Sequence, residues 1–541
     1  MKMSLTTLSV HQLSKAAFAA AAAAAALAAV PITNTSTALG QTLNWDIDSG
    51  TTGAQAGNGT WADGAGNWWN NTANVNANWD NSIPNAASFG HVGVGSTANY
   101  TVTLGSNITA ASITKNGSTS GLTIIAPDAG GLYKLTVNGN FTMTRGMQID
   151  APLVLATGVS HNIENSGYPL IINSDITQTG GANTLSLSFG ATLRLTGNNS
   201  FSGGLLAGVN PSVGTIELGT NTAPGTGALR LGRDNVWKAI NGNRTLANSW
   251  VPALASTRGR ADWSVTFAGD ELHFTTTDIL RLEGDSANTD ARWRFIVNNP
   301  KTTLAGGIDN GTSAGYRMGI VKEGTGMLVI NGNSAFDGDL NYTEAITVRA
   351  GALIMNGSVF SNNGTSGQKG SLVESGGILG GTGTLNLASG QAVTVQSGGL
   401  LAPGHNGSGT FTINGNLALD SGALFAFDPG STLDLAGTLS LDSSFGVASL
   451  RNSTDGAIDW STIAQGTYTL MNTSFVFNSG NISNFGSGAP ADLGGGKSAY
   501  FQQGSGPSSL QLVVVPEPTA LALMAVGSAL SGLVAWRRRR G

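Results

Sequence analysis

Leu193-Arg194-Leu195-Thr196-Gly197-Asn198-Asn199-Ser200-Phe201-Ser202-Gly203-Gly204 and Leu328-Val329-Ile330-Asn331-Gly332-Asn333-Ser334-Ala335-Phe336-Asp337-Gly338-Asp339 are the same sentence written twice. Each opens on a short apolar run, turns through Gly and Asn, places one Phe, and turns again. Each is followed by another strand ending in Gly: Thr215-Ile216-Glu217-Leu218-Gly219 in one case and Leu353-Ile354-Met355-Asn356-Gly357 in the other. Strands of four to six residues separated by Gly, Asn and Ser suggest a solenoid, a sandwich or a barrel. Internal repetition selects the solenoid, in which each unit buries its apolar side only by stacking on its neighbours.

Working outward, the same style covers the chain from about residue 97. Tyr100-Thr101-Val102-Thr103-Leu104, Ile108 to Ile113, Leu122-Thr123-Ile124-Ile125 and Lys134-Leu135-Thr136-Val137 are strands between Gly- and Asn-containing turns. No long run with a 3.6-residue period lies between the two ends. Residues 376 to 442 carry a related pattern, including Val393-Thr394-Val395, a Leu401-Ala402-Pro403-Gly404 turn, Thr410-Phe411-Thr412-Ile413 and Thr432-Leu433-Asp434-Leu435. Alternate apolar residues point inward and fill a narrow core, with Gly and Asn at corners that need positive φ. With roughly 20 residues per coil, about 450 residues give some 20 coils and a rod about 100 Å long.

Composition agrees. The chain has 541 residues, of which 11% are charged, well below the ~25% of ordinary soluble domains. Gly is the outlier at 78 residues. Setting aside Lys2, Lys15, Arg537 to Arg540 and Glu517 leaves 20 basic and 30 acidic residues, a mildly acidic body with no field for nucleic acid. There is no cysteine, which excludes disulfides, thiolate metal sites and Cys nucleophiles. Five histidines lie far apart without ligand spacing, and no nucleotide loop, zinc-protease motif or calcium repeat is present. The expectation is a protein without catalytic, cofactor-binding or metal-binding residues, and not an enzyme.

The ends read as signals. Lys2, His11 and Lys15 precede a continuous apolar run, Ala16 to Val30, stopped by Pro31 and followed by small residues that offer cleavage after Ala38 or Gly40. A run of this length suits a secretory signal helix over residues 1–40 and is short for a membrane span. At the other end stand Val515-Pro516-Glu517-Pro518, an uncharged apolar run Thr519 to Trp536, and Arg537-Arg538-Arg539-Arg540-Gly541. As a helix the 18-residue run extends ~27 Å, just enough for a ~30 Å hydrocarbon core. The Arg cluster stays cytoplasmic and orients the span. Pro516 and Pro518 keep the segment before it extended and accessible to a peptidase.

Two resemblances follow from these residues. The ordered set over Pro516 to Gly541, a Pro-Glu-Pro box, an apolar stretch and a basic tail, resembles the PEP-CTERM sorting signal. It implies an exosortase-type processing enzyme as partner, with Pro516, Glu517, Pro518 and Arg537, Arg538, Arg539 and Arg540 as sorting residues. The chain would pass through the inner membrane, held by Thr519 to Trp536, to the cell surface or the extracellular space. The blocks at 320–357 and 191–232 resemble the autotransporter-associated β-strand repeat of bacterial surface proteins, which implies an all-β, right-handed parallel β-helix.

The expected organisation is a signal peptide (1–40), a Trp/Asn-rich N-terminal cap region (41–95), solenoid (96–257), a charged insertion or polar coils (258–301), solenoid with the repeats (302–445), a terminal β region and linker (446–514) and the sorting signal with its transmembrane helix (515–541). Five of the eleven Trp lie in the cap region. Trp61, Trp68, Trp69 and Trp79 close the open end of the core or, alternatively, stack on sugar rings. Residues 258–301 hold 13 charged residues, including Arg258, Arg260, Asp262, Asp285 and Asp290. They are a polar section of the rod or a ligand-contact region. The expected function is a structural or adhesion protein of the cell surface or extracellular matrix, with an exopolysaccharide as candidate partner. The alternative is a secreted carbohydrate-binding or polysaccharide-degrading β-helix.

Overall fold

The computed structural model describes residues 40–517, apart from 91–98, 118–122, 166, 189, 191, 209–213, 253–261, 283–290, 310–317, 337–343, 361–369, 405–406 and 505–507, together with residue 536. The expected signal helix before Gly40, and Pro518 with the expected transmembrane run and the Arg tail, Trp536 excepted, lie outside the described residues. Among the described residues no helix is long and apolar enough to cross a membrane.

The protein is an all-β solenoid. The chain winds through three faces in a fixed order, shown by one early coil: Tyr100–Leu104 on the first face, Ile108–Ala110 on the second and Ile113–Lys115 on the third. The first face is one sheet of sixteen strands running nearly the whole length of the rod. The second face is a four-stranded sheet ending at Ile176–Gln178 and a nine-stranded sheet starting at Arg244–Leu246. The third is a ten-stranded sheet followed by an eleven-stranded one. Away from the two ends, successive strands within each face pair in parallel, and strands such as Tyr100–Leu104 alternate between a buried and a partly exposed residue. This is the period-2 pattern of a sheet with one side in the core.

Parallel, in-register stacking makes columns. Val102, Ile125, Ile149, Ile172, Leu195, Leu218 and Ala239 are consecutive partners on the first face, and all are at most 1% exposed. Outside, charges of opposite sign stack. Lys238 Nζ lies 2.9 Å from Glu217, which also holds Arg194, and Arg349 bridges Glu323 and Glu374.

Several expectations need correction. Register partners in successive coils are not a uniform 20 residues apart: the step is 18 from Leu135 to Leu153, 21 from Ile216 to Trp237 and 30 from Trp263 to Trp293. Sixteen strands at ~4.8 Å make a rod of about 70 Å, not 100 Å. The two quoted blocks are not equivalent in space. Thr192–Leu195 belongs to the first face and Met327–Ile330 to the second, so the sequence repeat is one face out of phase. Leu400–Pro403 is a buried strand, and the corner falls on Gly404, at φ +76°.

The described part of the charged stretch contributes strands to the coils of the rod. Asp262–Gly269 and Ala291–Val297 are the longest parallel strands of the first face, flanked on both sides by its regular neighbours. Its described charges spread around the rod. Arg294 meets Glu323 on the first face, Glu271 meets His273 and Lys301 on the second, and Arg281 is exposed on the third. Arg258, Arg260, Glu283, Asp285 and Asp290 lie outside the described residues.

Candidate sorting site at the C-terminal sheet

The third face ends differently from the way it runs. After Ser431–Leu435, the strand Gly466–Asn472 joins in parallel through Leu433 and Asp434. Three strands then continue the sheet antiparallel, in the order Gly466–Asn472, Ser509–Pro516, Lys497–Gln503, Ala491–Gly494. The last strand of the described body, Ser509–Pro516, is therefore hydrogen-bonded on both sides.

Its inward residues explain why it stays there. Leu510, Leu512 and Val514 are at most 1% exposed, and Leu512 stands between Tyr468 and Phe501. Phe501 stacks on Phe445 at 6.2 Å, tying the added strands to the last coil. Lys497 donates from Nζ to the carbonyl oxygens of Trp460, Ser461 and Ile463, at 2.9, 3.1 and 2.7 Å. These bonds fix the start of the strand that receives the box.

Pro516 is the register partner of Lys497, and the Glu517 N–H donates to the Gly496 carbonyl at 2.9 Å. The hairpin facing the box needs Gly494, Gly495 and Gly496, all at positive φ between +62° and +76°, a conformation that costs other residues steric strain. Ladder pairing cannot run on through Pro518, which has no N–H to give. The box thus begins inside a sheet. Its described residues Pro516 and Glu517 are half-buried and paired, and the strand Ser509–Pro516, not a free linker, leads into them.

Residues 514–540 match the PEP-CTERM protein-sorting motif. The PEP-CTERM segment indicates an exported protein, processed by an exosortase and sent through the membrane to the cell surface or the extracellular space. No curated protein matches the chain. Of the sorting residues, Pro516 and Glu517 are placed by the structure, whereas Pro518, Arg537, Arg538, Arg539 and Arg540 lie outside the described residues. Trp536 is 54% exposed.

The Trp residues offered as ligand contacts are elsewhere and unavailable to a ligand. Trp61, Trp68 and Trp79 are fully buried and Trp69 is 5% exposed. Trp61 packs edge-on against Trp79 at 4.8 Å and Trp68 at 5.1 Å, and Trp45 meets Trp68 at 5.3 Å. Phe89 completes the group. The physical reason is volume: among the described residues the first coil has no neighbour above it, and four indoles fill the space a further coil would occupy.

Sequence reasoning missed two features. One is the central position of Ser509–Pro516, whose only signal is the alternation of Leu510, Leu512 and Val514. The other is a shallow groove of about 580 Å³ beside this sheet, lined by Thr412, Asn414, Asp434, Asn472, Thr473 and Ser508 among others. Asn472 donates to Asp434 across it at 2.7 Å. Among the described residues no three of His, Asp and Glu gather as metal ligands.

Proposed function

We propose that this protein is a structural or adhesive rod of the bacterial surface or extracellular matrix, delivered by its PEP-CTERM segment. The observation that carries the reading is the covalent continuity of the sorting box with a central strand of the terminal sheet. Whatever holds the box holds the whole rod by its end, and cutting behind the box leaves the strand intact. A stack of coils with charge-paired outer rows suits a spacer: it is stiff along its axis and presents the same faces repeatedly. The likeness to autotransporter-associated repeats, and with it a right-handed winding, belongs to this reading and is consistent with parallel in-register coils. No catalytic residue is assigned.

The test is cell fractionation with C-terminal mass spectrometry. The mature chain is expected outside the inner membrane, ending close behind Glu517, and Glu517→Ala is expected to leave the unprocessed chain in the membrane. An intact Arg tail on the surface-delivered protein defeats the sorting part of the proposal. A matrix polysaccharide as partner is supported by the hydroxyl- and amide-lined groove around Asp434 and Asn472, which suits sugar hydroxyls better than an apolar ligand. Loss of binding to the native exopolysaccharide on Asn472→Ala with Asp434→Ala supports it, and unchanged binding defeats it.

A further inference from the structure

The start of the sorting box is held by the same backbone groups that a processing enzyme needs. A peptidase that takes its substrate as an added extended strand binds it through backbone N–H and C=O groups, with side-chain pockets adding choice. Near the box these groups are few. Pro516 has no N–H. In an antiparallel ladder hydrogen-bonding residues alternate, so Val515 and Glu517 bond toward one neighbour and Pro516 faces the other. The Glu517 N–H goes to the Gly496 carbonyl at 2.9 Å, and Val515 stands opposite Ser498, two residues further along. Both N–H donors of this segment therefore face the strand Lys497–Gln503 and the turn before it. On the other side the pairing with Gly466–Asn472 stops at Val514, and Pro516 brings only its carbonyl oxygen to that edge.

The hold is small enough to open. Lys497 with Pro516 is the last register pair of the ladder, and the Glu517 bond lies one residue beyond it. Terminal pairs open at far lower cost than a whole sheet. Opening them leaves Leu510, Leu512 and Val514, at most 1% exposed, in the core. What keeps the pairs shut lies on the receiving side. Lys497 is pinned through Nζ by the carbonyl oxygens of Trp460, Ser461 and Ile463. The turn into it needs Gly494, Gly495 and Gly496 at positive φ. A Cβ on any of the three meets no atom within 4 Å, so a substitution there strains the turn alone.

We propose that the turn over residues 494–497 is a latch on the sorting box: while it is closed the processing enzyme cannot engage Pro516 and Glu517, and the chain keeps its tail. The tail is removed from chains whose terminal pairs are open, either before the last sheet has closed or after its end has opened again. The cut is thereby tied to the state of the rod's end. This rests on reading the box as an exosortase substrate.

The chain has no native cysteine, so the latch can be locked. Ser498→Cys and Val515→Cys fall on antiparallel partners. The Cα atoms of such partners lie about 4.5–5.5 Å apart, within disulfide range. Full-length protein is followed by pulse–chase in a host that has the processing enzyme and an oxidising periplasm, with loss of the tail read by mass spectrometry. The double variant is expected to form an intramolecular disulfide and to lose its tail about tenfold more slowly than either single variant. Dithiothreitol added during the chase is expected to restore the rate. Gly495→Val, which strains the turn open, is expected to lose its tail several-fold faster than the wild-type chain. The proposal is overturned by the absence of a disulfide in the double variant, by a locked chain cut as fast as the single variants, by a locked chain that dithiothreitol does not release, or by Gly495→Val cut no faster than wild type. A wild-type chain that keeps its tail throughout brings down the sorting reading and the latch together. A wild-type chain that is cut, with locked and opened chains cut at its own rate, brings down the latch alone.

Discussion

Both ends of the rod are finished by antiparallel strands added to the third face, yet they are closed in opposite ways. At the N-terminal end, Thr42–Trp45 pairs in parallel with Ala86–Phe89, and Trp68–Asn70 and Val75–Ala77 follow antiparallel. The seal itself is side-chain volume, four indoles and Phe89 packed at 4.7 to 6.1 Å. At the C-terminal end the seal is backbone, a sheet whose middle strand is the last thing in the described body. The first end is closed by side chains drawn from Trp45 to Phe89. The second cannot be complete until the residues beside the sorting box are in place, so capping and delivery share one strand.

The strongest way to break this contrast is to end the chain at Gln503. Gly466–Asn472 and Lys497–Gln503 then lose their common partner, and we expect a local loss of about 5 kcal/mol or more, seen as lost hydrogen-exchange protection across 466–503. Strands near Trp61 should keep theirs, because a solenoid transmits stability only between neighbouring coils. If protection collapses along the whole rod, the two ends are not independent.

Trp61→Ala attacks the other seal. It should cost about 3–5 kcal/mol, confined in exchange experiments to the N-terminal coils. Leu512→Ala removes a smaller buried group from the C-terminal sheet, and about 2–5 kcal/mol should be lost there alone. Equal spreading of either loss to the opposite end contradicts the comparison.

A weaker difference is pH dependence. Beneath the indole plug, Lys115 lies in register with Phe89, its Nζ 5.2 Å from the centre of the Tyr100 ring. Burial, helped by the positive charge of Arg145, pulls its ammonium from the ordinary 10.5 down to about 8. The unfolded chain therefore binds this proton more tightly, and stability should rise with pH from about 8 toward 10. Burial pushes Tyr100 from 10.0 up to about 12, which favours its neutral form and should reverse the trend above pH 10. Urea midpoints of the N-terminal unfolding step measured at pH 8 and 10 check this, and Lys115→Met should flatten the rise. Smallest in stability is Glu517→Ala, within about 0.5 kcal/mol, although its effect on processing should be complete.

Much of this was legible beforehand. Alternation in segments such as Tyr100–Leu104 identified strands with one buried side, and Gly- and Asn-rich turns at short intervals identified coils. The Pro516-Glu517-Pro518 box, apolar run and Arg cluster identified the tail. Phase was not legible: the blocks at Leu193 and Leu328 read alike but stand on different faces, because coils of unequal length, 18 residues from Leu135 to Leu153 and 30 from Trp263 to Trp293, let the same words fall at different corners. Exposure of Trp61, Trp68, Trp69 and Trp79 was not legible either, since Asn- and Gly-rich surroundings serve a surface turn and a core-facing cap equally well.

The sequence by itself determined that the chain is built of short strands and sharp turns, has no cysteine chemistry and ends in a sorting segment. These are local properties, carried by period, composition and residue order. Only the tertiary structure decided that the indoles are core, that the strand before the box is central and that second-face strands such as Leu400–Pro403 are buried on both sides. Each of these depends on which distant segment lies next to a residue, and side-chain alternation says that a strand has two sides without saying what rests against them.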